Sequence, residues 1–296
     1  MFISILTLLL LSYTFNFDFR GENLNAQRFI LEKTEFNMYT EKYGSDPSQE
    51  GDLFLPQGKP LAMLCLFHGG FWLMPYGRDQ MTEVAQNLAR QGFAVWNVEY
   101  RRIGAEGGAW PGTFDDVIAS INHIQYLYKT YQIPSDTKVV LIGHSAGGQL
   151  AIWAGKQNEL DKSVHATLQV KPDLIVGLAP VIDLTKTFKE QLGRQSVLHL
   201  LKGTPDDIPE RYTLYDPTKF APIRIPQLII HGKDDDVLPV QWSRDYAALS
   251  QSAGAEIELI DIAGGGHMDF IDPDSEAIAV MTDFLINRFS NAQRKK

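Results

Sequence analysis

One stretch decides the fold: Val139-Val140-Leu141-Ile142-Gly143-His144-Ser145-Ala146-Gly147. An apolar run leads into a glycine-flanked serine, and residues 149–154 continue with the composition of a helix. Strand, sharp turn and helix in this order are the context in which a Gly-x-Ser-x-Gly motif holds a nucleophilic serine at the edge of a sheet. We therefore expect Ser145 to project its hydroxyl from a strained turn. The alternative is a serine that only caps the following helix.

The chain around this motif alternates between short apolar runs and helical stretches. This alternation predicts an α/β fold, with a mostly parallel central sheet and helices on both of its faces. The strand candidates are residues 28–35, 61–67, 93–99, 138–142, 173–178, 227–230 and 256–262. The helix candidates are residues 78–90, 114–130, 146–155, 240–251 and 275–289.

Residues 183–226 interrupt this alternation, because they are polar and repeatedly broken by glycine and proline. They follow a core strand, so we expect a small helical cap over the carboxyl edge of the sheet, where ligands bind in open α/β sheets. No internal repeat or low-complexity segment interrupts the alternation. We expect residues 25–296 to form a single domain that contains this cap, and residues 1–24 to be a hydrophobic N-terminal extension.

The composition favours a globular protein with a large core. Of the 296 residues, 44% are hydrophobic and 21% are charged, which is ordinary for a domain that needs neither disulfides nor a metal. The net charge of −9 would repel a polyphosphate backbone, so nucleic acid is not an expected partner. The single cysteine, Cys65, lies in an apolar run and is expected to fill the core.

Residues 2–11 form an apolar run with the length of a signal-peptide core, too short to span a bilayer comfortably. No lysine or arginine precedes this run, since Arg20 is the first basic residue, and no clear cleavage site follows it. Two alternatives stay open: a signal or anchor, and an extension that is not exported. The missing basic residues favour the second alternative, and with it a cytoplasmic location and no stable membrane span.

A serine hydroxyl needs a base near neutral pH, and His267 is the candidate among the seven histidines. It stands in a glycine-rich loop after the last strand candidate, where an imidazole can reach over the sheet edge and exchange a proton. His144 is expected to be a spacer within the serine turn. The histidines away from any motif are expected at surface or packing positions: His123, His165 and His199.

The third residue should be a carboxylate that lies between the serine and the histidine in the chain. Three consecutive aspartates follow the strand candidate 227–230. We prefer Asp235 for orienting the imidazole and stabilising its charged form, with Asp234 and Asp236 as alternatives. A metal site is not expected, because no histidine or cysteine cluster converges on these aspartates.

Acyl transfer also needs N–H donors for the negative charge that develops on the carbonyl oxygen. Gly69 and Gly70 follow the strand candidate 61–67, and their bare backbone can approach that oxygen closely. The residue after the nucleophile, Ala146, is expected to supply the other donor. The alternative for the loop with Gly69 and Gly70 is a plain glycine turn without a role in catalysis.

Several blocks of the chain, in their order, resemble those of bacterial α/β-hydrolases related to kynurenine formamidase and to the hormone-sensitive-lipase and BD-feruloyl-esterase groups. The blocks are residues 43–49, 68–72, 99–102 and 110–117, the serine turn, and His267 with Asp269 and Phe270. The resemblance covers nearly the whole chain from Tyr43 onward. It implies the α/β-hydrolase fold and a Ser-His-Asp triad, and the family pattern His-Gly-x-x-Asp ends on Asp235.

Two departures from the family pattern favour the formamidase-like side of the resemblance. His-Gly-Gly-Phe-Trp at residues 68–72 lacks the third glycine of lipase-like members, and Met268 stands where an aromatic residue is frequent. The aromatic residues near the first block and near the block at 110–117 are large enough to line a small-molecule pocket. The expected pocket residues are His68, Phe71, Trp72 and Trp110.

The residues and the resemblance together predict hydrolysis of small carboxylic esters through Ser145, with a formamide such as N-formylkynurenine as the alternative substrate. A second alternative is a catalytically silent binding module of the same fold. The predicted chemistry needs no cofactor. The expected partner is a small-molecule ester or formamide, and a homodimer is the form of self-association considered.

Overall fold

A computed structural model describes residues 35–159 and 166–294 and places eight strands in one sheet. They are β1 (Phe36–Lys42), β2 (Glu50–Pro56), β3 (Met63–Phe67), β4 (Ala94–Val98), β5 (Val139–His144), β6 (Leu174–Leu178), β7 (Gln227–Gly232) and β8 (Ile257–Ile262). Their order across the sheet is β1-β2-β4-β3-β5-β6-β7-β8. Strand β2 pairs antiparallel with β1 and with β4, and the other neighbouring strands run parallel. The mostly parallel sheet predicted from the sequence is confirmed.

Ten α-helices accompany these strands in the described part of the chain. They are α1 (Thr82–Arg90), α2 (Gly112–Asn122), α3 (Ile124–Thr130), α4 (Ala146–Lys156), α5 (Leu184–Lys189), α6 (Leu192–Leu201), α7 (Pro209–Tyr215), α8 (Pro217–Phe220), α9 (Val240–Ser252) and α10 (Glu276–Arg294). The helix predicted at 114–130 is divided at His123 into α2 and α3. The helix predicted at 78–90 begins as a 3₁₀ turn before α1.

The core lies in two layers, one on each face of the sheet. Along β3, Met63, Cys65 and Phe67 pack with buried residues of α2, α4 and α9, whereas Leu64 and Leu66 pack with residues of α1 and α10. This alternation follows from the two-residue period of a strand, and burial on both faces explains why the central strands are continuously apolar. Cys65 is fully buried, which confirms its expected place in the core, and burial raises the pKa of its thiol.

The sequence reasoning missed β1 and β2. Strand β1 is the edge of the sheet and is mostly exposed, and β2 begins with Glu50, Gly51 and Asp52, so neither strand reads as a continuous apolar run. The strand predicted at 28–35 and the extension predicted at 1–24 lie outside the described residues, except for Glu35, which is not in a strand. Across residues 35–159 and 166–294, no helix combines the length and apolar character needed to cross a membrane.

Four short helices, α5 to α8, lie between β6 and β7, within the stretch for which the sequence predicts a cap; we call residues 183–226 the β6–β7 insertion. Asp183 caps α5 by accepting a hydrogen bond from the backbone N–H of Lys186 (2.8 Å). Asp216 is fully buried, caps α8, and also accepts hydrogen bonds from the N–H and hydroxyl of Thr185. Buried carboxylates therefore connect helices that are too short to be stable alone.

The first turn of α4 lies very close to the end of β3. A Cβ atom at Gly147 would overlap the backbone carbonyl oxygens of Phe67 and His68. These atoms belong to the backbone of a central strand and of the loop that follows it, so they cannot move aside as a flexible side chain could. Only glycine fits at this position, and its absence of a side chain brings the serine turn next to the loop after β3.

Replacing Gly147 with alanine should therefore cost much stability. We expect Gly147→Ala to lower the free energy of unfolding by about 3 kcal/mol, because the new methyl group forces the sheet and α4 apart. Urea denaturation followed by circular dichroism measures this loss. Gly58→Ala is the control: a Cβ atom there has open space and meets only the cost of a positive φ, about 1–2 kcal/mol. Equal losses in the two variants would contradict the account.

Candidate active site

Ser145 lies between the carboxyl end of β5 and the first turn of α4, in a strained backbone conformation. Its φ is 54° and its ψ is −117°, values that a residue with a side chain rarely adopts. The backbone N–H of Ser145 donates to the carbonyl of Leu178 at the end of β6 (2.9 Å), which holds the turn against the sheet. The Ser145 hydroxyl makes no capping hydrogen bond to α4, so the alternative of a simple helix cap is not supported.

The structure brings His267 to the Ser145 hydroxyl. His267 begins a 3₁₀ turn after β8, and only 5% of its surface is exposed. Its Nε2 lies 3.0 Å from Ser145 Oγ, and its Nδ1 lies 2.7 Å from Asp235 Oδ2. With Nδ1–H donating to the carboxylate, Nε2 is left to accept the proton of the serine hydroxyl. The three predicted residues thus form one hydrogen-bonded line, although Ser145 and His267 are 122 positions apart in the sequence.

Of the three consecutive aspartates, Asp235 is the one that turns inward. Asp234 and Asp236 are exposed, whereas the Asp235 side chain is fully buried. Its Oδ1 accepts hydrogen bonds from the backbone N–H groups of Val237 (2.9 Å) and Leu238 (2.7 Å). Burial alone would raise the pKa of Asp235, but hydrogen bonds from His231 and His267 outweigh it and hold the pKa well below its usual range. Asp235 is therefore ionised and directed at His267.

The loop after β3 brings Gly69 and Gly70 beside the serine turn. A Cβ atom at Gly69 would lie 2.9 Å from His144 Nδ1 and 3.1 Å from Ser145 Cβ, so Gly69 touches the turn itself. Gly70 has a φ of +94°, which glycine adopts without strain. Within the described residues, the backbone N–H groups of Gly69, Gly70 and Ala146 donate to no backbone carbonyl. The loop after β3 is therefore in direct contact with the serine turn.

Two of the predicted pocket residues are fully buried. His68 donates from Nε2 to Glu99 Oε1 (3.0 Å) and stacks on the ring of Tyr100 at 4.3 Å, beneath the glycine loop. Burial alone would raise the pKa of Glu99, but the hydrogen bond from His68, with Arg102 nearby, lowers it. Trp72 packs in the core with no exposed surface. A pocket-lining role for His68 and Trp72 stays a prediction.

The other two predicted pocket residues, Phe71 and Trp110, are half-buried and contact the β6–β7 insertion. Phe71 packs against Gly193, where a Cβ atom would overlap the aromatic ring. Trp110 donates from Nε1 to the hydroxyl of Tyr215 (3.0 Å), and the guanidinium of Arg211 lies 3.6 Å above its ring. The loops that carry Phe71 and Trp110 therefore meet the insertion near the end of the sheet that holds Ser145.

The spacer histidine of the serine turn, His144, has a contact that the sequence did not predict. Its Nε2 donates to the backbone carbonyl of His267 (3.0 Å), and the two imidazole rings lie 4.9 Å apart. Burial, together with the neighbouring His267, lowers the pKa of His144 to about 3. A neutral His144 therefore links the serine turn to the loop that carries His267.

The remaining histidines lie away from Ser145 or outside the described residues. His123 packs between Trp96 and Tyr126, and His199 is exposed on α6, as expected for packing and surface positions. His165 lies outside the described residues. His231, which the sequence reasoning did not assign, is buried beside Asp235. In the parts of the chain that the structure describes, no group of three or more His, Cys, Asp or Glu side chains is arranged to hold a metal ion.

Comparison with known families supports the fold and the catalytic class. The BD-FAE family model matches residues 52–249, more than half of the chain, from β2 to α9. Among solved structures, a truncated carbohydrate esterase from gut microbiota superposes with a TM-score of 0.72 at 24% identity, covering 88% of this chain and 98% of that one. At this level of identity the likeness shows the fold alone, which is the α/β-hydrolase fold.

Two known proteins are similar in sequence over most of this chain. The esterase LipC of Mycobacterium tuberculosis is 27% identical over 260 residues, which cover 80% of this chain and 62% of LipC. Kynurenine formamidase of Meyerozyma guilliermondii is 23% identical over 229 residues, which cover 76% of this chain and 85% of that protein. Against LipC and two further curated relatives, the chain spans between 54% and 62% of the relative's length.

The lowered pKa of His144 predicts a pH-dependent stability. The unfolded chain binds a proton at this residue below about pH 6.5, whereas the folded protein does so only near pH 3. The contribution of neutral His144 to the free energy of unfolding is thus fully present above about pH 6.5. It is lost as the pH falls, by at most about 1.4 kcal/mol per pH unit. His144→Gln removes this titration and keeps an N–H donor for His267, so we expect it to lose less stability between pH 6 and pH 4 than the wild type.

Urea denaturation at several pH values measures this difference. His199→Gln, at an exposed position, is the matched control and should follow the wild type at every pH. Parallel pH profiles for the wild type and His144→Gln would show that the buried ring does not set the acid sensitivity.

Proposed function

This chain belongs to the BD-FAE family, and from that premise we propose that it hydrolyses small carboxylic esters, with Ser145 as nucleophile, His267 as general base and Asp235 as the orienting carboxylate. The observation that carries the proposal is the unbroken line of hydrogen bonds from Asp235 through His267 to Ser145, at 2.7 and 3.0 Å. Such a line is what an activated serine requires, since the hydroxyl alone is a weak nucleophile. The similarity to the esterase LipC supports the same reaction class.

In the proposed reaction, His267 Nε2 takes the hydroxyl proton as Ser145 Oγ bonds to the ester carbonyl carbon. The carbonyl electron pair moves onto its oxygen, and Asp235 stabilises the imidazolium that has formed. When the tetrahedral intermediate collapses, the bond to the alcohol oxygen breaks and His267 returns the proton to that leaving group. A water molecule then repeats these steps on the acyl-enzyme, which releases the acid and regenerates the Ser145 hydroxyl.

We propose that the N–H groups of Ala146 and of Gly69 or Gly70 stabilise the negative oxygen in both tetrahedral intermediates. Support comes from the position of Ala146 at the start of α4, where backbone N–H groups point outward and the helix dipole favours negative charge. The contact of Gly69 with Ser145 brings the loop after β3 to the same point. A pre-arranged pair of such donors accelerates acyl transfer by stabilising charge where it develops.

We also propose that, within the described residues, the β6–β7 insertion covers the substrate pocket. The contacts of Phe71 with Gly193 and of Trp110 with Tyr215 support this arrangement. The two half-buried aromatic side chains would then form an apolar wall for the acyl or leaving group. Their partners in the insertion would decide how large that group can be.

Arylformamide hydrolysis is the second candidate function. It is favoured by the similarity to kynurenine formamidase, of which the chain covers 85%. The same nucleophile, base and oxyanion donors serve a formamide, because its carbonyl passes through the same tetrahedral intermediate. Only the leaving group differs, since His267 would then protonate an aryl amine in place of an alcohol.

Removal of the nucleophile tests the proposed mechanism. We expect Ser145→Ala to lower turnover of a short-chain aryl ester by about 10⁴- to 10⁶-fold, as in other serine hydrolases, with the fold unchanged by circular dichroism. A fluorophosphonate probe should label the wild type once and leave Ser145→Ala unlabelled. Ser252→Ala, at an exposed position of α9, is the control and should behave as the wild type. Full activity in Ser145→Ala would refute the mechanism, and a wild type that resists the probe would favour a silent binding module.

Turnover of two substrates side by side separates the two candidate functions. We expect kcat/KM for p-nitrophenyl acetate to exceed that for N-formylkynurenine, because an ester carbonyl is more electrophilic than an amide carbonyl and its leaving group departs more easily. Both values should be measured at the same pH with one protein preparation. A formamide value far above the ester value would make arylformamidase the function of this site.

A further inference from the structure

A second histidine contacts the carboxylate of the proposed triad. His231 lies in β7, four residues before Asp235, and only 1% of its surface is exposed. Its Nε2 lies 3.1 Å from Asp235 Oδ2 and 3.0 Å from the carbonyl oxygen of Leu238. Its Nδ1 lies 2.7 Å from the hydroxyl oxygen of Ser243, in the first turn of α9. No part of the proposed mechanism uses this residue.

The surroundings of His231 fix the place of its proton. A carbonyl oxygen carries no hydrogen, and the Asp235 carboxyl group is ionised, so both oxygens near Nε2 can only accept. Nε2 must therefore carry a hydrogen, which it donates to the Leu238 carbonyl and which also faces Asp235 Oδ2. The hydroxyl of Ser243 can donate to the other ring nitrogen, Nδ1. This arrangement keeps the ring in one orientation and one tautomer, in the way that outer partners fix a functional histidine.

Asp235 consequently has four close N–H neighbours. Oδ1 accepts hydrogen bonds from the backbone N–H groups of Val237 and Leu238, and Oδ2 accepts one from Nδ1–H of His267. The Nε2–H group of His231 is the fourth neighbour, with Nε2 at 3.1 Å from Oδ2. The carboxylate therefore cannot rotate without losing one of these contacts, and two imidazoles face the negative charge of Oδ2.

We propose that His231, held by Ser243, is a positioning residue of this site: it fixes the orientation of Asp235 and limits how strongly that carboxylate stabilises the imidazolium that forms when His267 takes the proton of Ser145. The inference rests on the proposed function, because it assigns His231 a part in the same proton transfers. His231 acts through Asp235 and does not contact the substrate, since it is buried beneath the carboxylate.

Loss of the His231 donor should change the pH dependence of the reaction. Without it, the His267 imidazolium is the only imidazole that faces the charge on Oδ2, so this imidazolium becomes more stable. A higher pH is then needed before Nε2 loses its proton and is free to accept one from Ser145. Three further titratable groups lie close to the His267–Asp235 pair: His231 from β7, His144 from β5, and Asp269, whose carboxylate accepts the N–H of Gly266 (3.0 Å) beside His267. Because His144 and Asp269 are unchanged in these variants, the shift can be assigned to His231.

The test compares His231→Leu, which removes the donor, with His231→Gln, whose side-chain amide can donate from nearly the same place. We expect His231→Leu to lower kcat for p-nitrophenyl acetate by about ten- to a hundredfold, the size expected for one hydrogen bond to a charged group, with KM nearly unchanged. The acid limb of its kcat/KM profile should move to higher pH by roughly half to one unit. His231→Gln should recover most of both effects. His123→Gln, which replaces the histidine that packs between Trp96 and Tyr126, is the matched control and should leave both readouts as in the wild type.

A second measurement does not depend on turnover. Histidine NMR titration, with the His267 resonance identified by its loss in His267→Gln, should show the His267 midpoint moved to higher pH in His231→Leu and restored in His231→Gln. If the wild type neither hydrolyses esters nor reacts with a fluorophosphonate probe, the proposed function fails, and this titration still decides whether His231 acts on the Asp235–His267 pair.

Three results would overturn the inference: an acid limb and a His267 midpoint that stay in place in His231→Leu, equal defects in the Leu and Gln variants, or a defect confined to KM. If His231→Leu does not fold by circular dichroism, Ser243→Ala provides the decision. Loss of the hydroxyl frees the His231 ring to turn away from Asp235, so a smaller shift in the same direction is expected, and an unmoved profile would overturn the inference.

Discussion

The whole site depends on one close approach between backbones, that of α4 to the end of β3. A side chain at Gly147 would overlap the carbonyls of Phe67 and His68, so the turn before α4 can be this tight only with glycine. The tight turn places Ser145 at a φ of 54°, with its hydroxyl free of the helix it precedes. The same approach sets the glycine loop after β3 against Ser145. The proposed nucleophile and the proposed oxyanion donors are thus positioned by a single packing constraint.

The remaining groups reach Ser145 because parallel strands end at one edge of the sheet. Asp235 follows β7 and His267 follows β8, so loops distant in sequence meet above β5. His267 and Asp235 each have a buried histidine neighbour: His144 hydrogen-bonds the His267 carbonyl, and His231 contacts the Asp235 carboxylate. In a water-poor environment such fixed partners hold charge and orientation without reorganising during the reaction, which is where an enzyme gains most of its electrostatic advantage.

Sequence reasoning reached the central strands and the serine turn because both follow from local patterns, continuous apolar runs and glycines at fixed spacing. It missed β1, an exposed edge strand whose place is set by pairing with β2 rather than by its own hydrophobicity. It preferred Asp235 among three aspartates, yet only the fold of the loop shows that this side chain is buried. The contact of His231 with Asp235 was also hidden, although the spacing His-Gly-x-x-Asp could have suggested it. Such contacts depend on the tertiary conformation of the loops, which no local sequence pattern encodes.

The central claim is that Ser145 forms a covalent acyl-enzyme, and the most direct measurement is to trap that species. The protein would be mixed with excess p-nitrophenyl acetate, quenched in acid within the first turnovers, digested, and mapped by mass spectrometry beside the Ser145→Ala variant. The account predicts an acetyl group on the wild-type peptide that contains Ser145, in near-stoichiometric amount, and none at residue 145 of the variant. Turnover without an acetylated Ser145, or with the acetyl group on another residue that the variant also carries, would contradict it.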